Sequence, residues 1–202
     1  MNFDELQQAV DAAMSEALTG AGFRRRAPGV WNRRQNDDLN VIQLQEHSSE
    51  KLFCVNLGVH YSFLPKAGSQ VPLGVDEQIE LPDCEFKLRL TDQVAAKDQW
   101  WPIAAVSAMH VAALTCSRGL EVLDSYQIDG QIGAMDGKDV ESGNLGLLAS
   151  LTKVRACLLL ARMHERLGNR DKCVEAASIG IKLAGMAVGP KKALKEILVR
   201  LG

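Results

Sequence analysis

The 202-residue sequence predicts an α+β fold: an N-terminal helix, an antiparallel sheet of about five strands, and a helical C-terminal region. Three observations carry this. Phe3, Leu6, Val10, Met14 and Leu18 recur at three- and four-residue steps, the spacing of one helix face. Phe53, Val55, Leu57, Val59 and Tyr61 alternate with Cys54, Asn56, Gly58 and His60, the period of a half-buried antiparallel strand. Beyond Asp98 the period-two pattern stops and apolar residues fall at helical intervals.

The first helix has Asn2 or Asp4 to cap it, with Gly20 and Gly22 as its stop. Phe23–Arg26 and Val30–Arg34 then read as two strands joined by a tight Ala27-Pro28-Gly29 connection. Asn36-Asp37-Asp38 makes the next turn and Leu39–Gln45 a third strand. After a Ser48-Ser49-Glu50 turn comes the Phe53–Tyr61 strand. Ser62–Pro82, with Pro65, Pro72 and Pro82 among Gly68 and Gly74, reads as a long surface loop. Cys84, Phe86, Leu88 and Leu90 alternate with charged residues and form a fifth strand.

Trp100–Cys116 reads as one apolar helix packed on the sheet, too short for the roughly 20 residues of a membrane span. Residues 129–146 hold five glycines among acidic residues and read as a mobile linker. Leu147–Leu167, a segment capped by Asp171 and running to Ala184, and a last helix opening at Pro190 complete the chain. The expected organisation is an α+β domain over 1–118, an acidic Gly-rich linker over 119–146, and a basic helical extension over 147–202.

The near-neutral total hides a split. Residues 1–152 carry 12 Lys/Arg against 21 Asp/Glu, and residues 153–202 carry 11 against 4. Either the halves attract each other or one keeps its charge for a partner. Five widely spaced cysteines without a CxxC pair point to free thiols in a reducing compartment, so the expected location is cytoplasmic.

Gly22-Phe23-Arg24-Arg25, Val30-Trp31, the Val55–Val59 strand, Cys84–Leu90 and Asp98-Gln99-Trp100-Trp101, in that order, resemble the domain-of-unknown-function 4304 family over residues 1–102. That resemblance implies an α+β fold and a bacterial, cytoplasmic setting, and it brings no catalytic residues with it. Residues 147–184 are similar to one tetratricopeptide-like hairpin, with Ala161, Gly168, Asn169 and Cys173 at the small and turn positions. Ala177 departs from that pattern and no second copy follows.

Arg24, Arg25, Arg26, Arg33 and Arg34 beside Trp31 form the strongest local feature. Across a hairpin some of these cations face one another, which destabilises a sheet unless an anion lies nearby. That anion is a phosphate, a nucleic acid or an acidic protein, or else Asp37, Asp38 and the acidic first helix neutralise the patch internally. Metal ligation is not expected: Cys54 and His60 share a strand face but stand roughly 20 Å apart at about 3.3 Å per residue. Gly137-Lys138 is followed by Asp139 and lacks the earlier glycine of a phosphate loop. No nucleophile or zinc motif of the hydrolases is present, and His110, on an apolar helix, reads as a core histidine.

These readings predict no cofactor and no catalytic residue. The leading expectation is a non-enzymatic bacterial protein-interaction domain, including an immunity-type partner of a toxin. The alternative is an anion- or nucleic-acid-binding module using the Arg24–Arg34 ribbon. An enzyme would require His60, Arg89 and acidic residues to converge.

Overall fold

Helix α1 (Phe3–Gly20) starts where its capping box closes: Asn2 accepts from the Glu5 N–H at 2.8 Å, and the Glu5 carboxylate accepts from the Asn2 N–H at 3.0 Å. Leu6, Val10, Met14 and Leu18 are fully buried, each contributing roughly 2 kcal/mol by leaving water. Gly22, in the left-handed region at φ +84°, turns the chain out of the helix. The computed structural model describes residues 1–66, 73–74, 77–93 and 98–202, which divide into two units, Met1–Asp124 and Ser125–Gly202.

In the first unit, β1 (Arg24–Ala27), β2 (Val30–Gln35), β3 (Asp38–Glu46), β4 (Leu52–Tyr61) and β5 (Phe86–Arg89) form an antiparallel sheet in chain order. A sixth strand, β6 (Trp101–Pro102), pairs with Leu52 and Phe53 at the start of β4. Both early connections are two residues long, Pro28-Gly29 and Asn36-Asp37. Gly29 at φ +67° and Asn36 at φ +53° provide the left-handed backbone that short hairpins use.

β4 is not half-buried. From Phe53 to Tyr61 both of its faces are covered. α1 covers the face of Trp31, Ile42 and Leu57, where Asp11 bonds the Trp31 indole. The other face is closed by the segment expected to be a surface loop. Ile79 and Cys84 are buried against Leu39 and Val41, with Leu81 in a 3-10 turn packed beside them. That turn throws Cys84 out of the period-two pattern, so β5 begins only at Phe86. A Cβ on Gly58 would stand 2.6 Å from Cys84 Sγ, so only glycine admits this covering segment. Gly68 and Pro72 of the loop reading lie outside the described residues.

The Trp100–Cys116 segment is not one helix. Trp101 joins the sheet and is buried while Trp100 remains partly exposed. The helix proper runs as α2 (Ala105–Leu114), a π-helical turn at Thr115–Gly119, and α3 (Leu120–Ser125). His110 lies on the exposed side of α2, not in the core, because the buried face is set by Ser107, Ala108, Val111 and Ala112.

The stretch expected to be a linker is folded. It forms α3, α4 (Gln131–Ala134) and α5 (Gly137–Ser142), and Leu123, Ile132 and Val140 are fully buried. Gly137 permits close approach of two helices: a Cβ there would lie 2.9 Å from Ala176 Cα. Asp136 caps α5 with a second capping box and Gly143, at φ +90°, ends it. A 3-10 turn at Gly146–Leu148 precedes α6 (Lys153–Arg166), which therefore starts six residues later than the periodicity suggests. α7 (Arg170–Leu183) follows the Gly168-Asn169 turn, with Asp171 in its first turn and Asn169 at its cap. α8 (Val188–Leu201) opens two residues before Pro190 and packs on both α6 and α7. Between α6 and α7, the Cys173 thiol donates to the Ala161 carbonyl at 3.0 Å. No helix among the described residues is long and apolar enough to cross a membrane.

Candidate anion-binding groove

The β1–β2 register decides what the five arginines do. Arg24 pairs with Asn32, Arg25 with Trp31, and Ala27 with Val30, with a bulge between Arg25 and Ala27. Contrary to the sequence expectation, no arginine in this hairpin faces an arginine. The extra residue in β1 shifts the pairing so that polar and aromatic side chains stand opposite the cations.

Alternation along the strands then separates the arginines. Arg25 and Arg33 point to the α1 side. Asp11 of α1, only 5% exposed, accepts from Arg25 Nε at 2.7 Å, Trp31 Nε1 at 2.7 Å and the Gly29 N–H at 3.0 Å. A buried carboxylate needs such a set of donors. Arg33, 6% exposed, donates to Asn40 Oδ1 at 2.9 Å and Asp124 Oδ1 at 2.6 Å, and lies over the Phe23 ring at 4.8 Å. Trp31, 2% exposed, is a core residue whose ring is not presented to solvent. The acidic first helix thus neutralises Arg25, while Asp37 accepts from the Ser62 hydroxyl and Asp38 is buried at the start of β3.

Arg24, Arg26 and Arg34 are exposed and line a groove of about 320 Å³, whose edge the internally paired Arg33 also reaches. Leu39 and Ile79 form its apolar wall. Asn32 is held there by its own amide, which donates to the Ile79 carbonyl at 2.8 Å, and its buried Oδ1 has no partner among the described residues. Arg34 donates to the Glu77 backbone carbonyl at 3.1 Å. The neighbouring Glu77 carboxylate is already engaged, accepting from the Gly74 N–H at 3.0 Å and pairing with Lys66 at 3.0 Å. Those two contacts hold its carboxyl below the usual carboxylate range. Among the described residues no carboxylate pairs with Arg24, Arg26 or Arg34. Three guanidinium groups around one groove match the planar, bidentate demands of a carboxylate or phosphate.

The other residues weighed from the sequence do not gather into a centre. His60 is fully buried, and its Nε2 lies 3.3 Å from the Leu64 carbonyl, to which it donates. Burial pushes its pKa below the ordinary value. Arg89 stands beside Asn56, four residues along β4 from His60, or roughly 13 Å at 3.3 Å per residue. It pairs with Asp98 at 3.2 Å and lies over the Trp100 ring. All five cysteines are free. Burial pushes Cys84 up to about 12, and Cys54, Cys157 and Cys173 to about 11, so these thiols are poor nucleophiles and poor ligands. Among the described residues no three His, Cys, Asp or Glu side chains come together as a metal would require. A wider depression of about 870 Å³ along α8 is lined by one side of that helix and its leading turn, and brings no second element to bear on a ligand.

The roles of Asp11 and Ile79 were not visible in the sequence reading. Asp11 carries a local signal, because a carboxylate one residue after Val10 and three before Met14 sits on the edge of the buried stripe. Ile79 had no such signal.

No curated protein and no solved structure matches the chain. A family model does, over residues 14–114, which spans the last turns of α1, the whole sheet and α2. Half the chain, including the arginine hairpin and the groove, falls inside that match, and the chain belongs to the family described as Domain of unknown function (DUF4304).

Proposed function

We propose that this protein is a non-enzymatic binding module that takes an anionic group of its partner between Arg24, Arg26 and Arg34. The observation that supports this is the contrast within one hairpin. Arg25 and Arg33 have carboxylate partners inside the fold, whereas the three groove arginines have none among the described residues. Guanidinium groups held at a concave surface with an apolar wall are arranged as binding sites for small anionic groups are. An immunity-type partnership is one case of such binding. The five free thiols favour a reducing compartment, and we place the module in the bacterial cytoplasm.

Titration with inorganic phosphate and retention on immobilised heparin test this reading. The combined substitution Arg24→Ala, Arg26→Ala and Arg34→Ala is expected to weaken phosphate binding by at least about tenfold and to shorten heparin retention. Arg25→Ala, on the opposite side, is expected to change the phosphate affinity by less than about twofold. Equal phosphate affinity in the wild type and the triple variant would overturn the proposal.

A further inference from the structure

We propose that the anionic partner is an acidic protein segment, which adds to the sheet as a strand along β1 and sets its carboxylates against Arg24 and Arg26. This rests on the groove being an anion site and goes further by naming what enters it.

β1 is the end strand of the sheet and all four of its residues are exposed. Among the described residues only β2 pairs with it, so one of its edges offers unpaired N–H and C=O groups. Such an edge accepts a further strand unless something prevents it. Here the arginines and the bulge at Arg25/Ala27 select what can pair. A second copy of β1 would bring its own arginines into register with these, and like charges across strands repel. An acidic strand meets the same side chains as ion pairs. The charge that blocks self-association is therefore the charge that admits this partner.

Nucleic acid fits the surface less well. Trp31, the aromatic residue of the hairpin, is in the core and offers no stacking platform. Residues 1–124 carry 11 Lys/Arg against 17 Asp/Glu, so a long polyanion would run from the groove onto a net negative surface. The arginine edge is four residues long, about 13 Å at 3.3 Å per residue. That length suits a short acidic segment whose alternate side chains fall on the groove side.

The test uses the full chain and three probes: a capped peptide alternating Glu and Thr, the same peptide N-methylated at alternate residues, and oligothymidine of equal charge. The plain peptide is expected to bind and to slow amide hydrogen exchange at Arg24–Ala27. The N-methylated peptide keeps its charge but cannot complete the strand pairing, and is expected to bind at least about tenfold more weakly. Arg24→Ala with Arg26→Ala is expected to abolish peptide binding while the thermal transition stays in place. Equal binding of the two peptides, or phosphate binding without peptide binding, would overturn strand addition and leave the groove an anion site. Failure of both phosphate and peptide would remove the groove reading as well. Tighter binding of oligothymidine than of the peptide would overturn the choice of partner.

Discussion

The two faces of the β1–β2 hairpin carry the same residue type to opposite ends. On the α1 side, Arg25 and Arg33 are absorbed into the fold through Asp11, Asn40 and Asp124. On the groove side, Arg24, Arg26 and Arg34 stand exposed around a concavity, and the nearby Glu77 carboxylate is held by Lys66 and the Gly74 N–H. Five arginines within eleven residues look alike along the chain. Strand alternation and one bulge assign them to structure or to surface, so neighbours in sequence differ in role.

Asp11→Ala strikes the α1 side hardest. It strands the Trp31 indole N–H and the Gly29 N–H and frees Arg25, so a loss of about 3 kcal/mol is expected. Urea unfolding followed by tryptophan fluorescence measures it, and a loss under about 1 kcal/mol would mean that the network does not hold the hairpin. Arg33→Ala comes next. It removes hydrogen bonds to Asn40 and Asp124 and a cation–π contact, for an expected cost of about 2 kcal/mol.

A pH effect separates the faces in a different way. His60 sits on the groove side of β4, fully buried, with its pKa held below the ordinary 6.5 by burial. The unfolded chain binds a proton first as pH falls. The stability of the first unit is therefore complete above pH 6.5 and declines below it, down to the folded-state value, by up to about 1.4 kcal/mol per pH unit. His60→Asn should flatten that decline in thermal melts between pH 7 and pH 5, and an unchanged slope would assign the effect elsewhere. In the second unit His164, also shifted down by burial, sets the same direction.

The smallest expected effect completes the contrast. Single alanine substitutions of Arg24, Arg26 or Arg34 should change stability by no more than about 0.5 kcal/mol, since exposed cations with no ion pair among the described residues contribute little. A loss of 2 kcal/mol at any of them would move that arginine into the structural group and weaken the binding proposal.

Much of the first unit was legible because its signals are local. The Leu6–Leu18 stripe and the Phe53–Tyr61 alternation each state the period of their element, although burial follows that period only in α1, since both faces of β4 are covered. The glycines of 129–146 misled for a corresponding reason. Glycine marks flexibility or close packing, and only the partner surface tells which. Gly137 against Ala176 is packing. The covering of the second sheet face was hidden too, because Ile79 and Leu81 lie in a Pro-punctuated stretch with no period of its own.

The first helix, the four strands between Arg24 and Tyr61 and the apolar stripe of α1 were decided by short-range chemistry: side-chain spacing, capping residues and turn residues. The division of the five arginines into those with a carboxylate partner in the fold, Arg25 and Arg33, and those with none among the described residues was not. It depends on a β-bulge that sets cross-strand register, on a carboxylate delivered by α1 from fourteen residues away, and on a segment that closes the far side of the sheet. Ion pairing is decided by distance in space, and distance in space is a property of the assembled core.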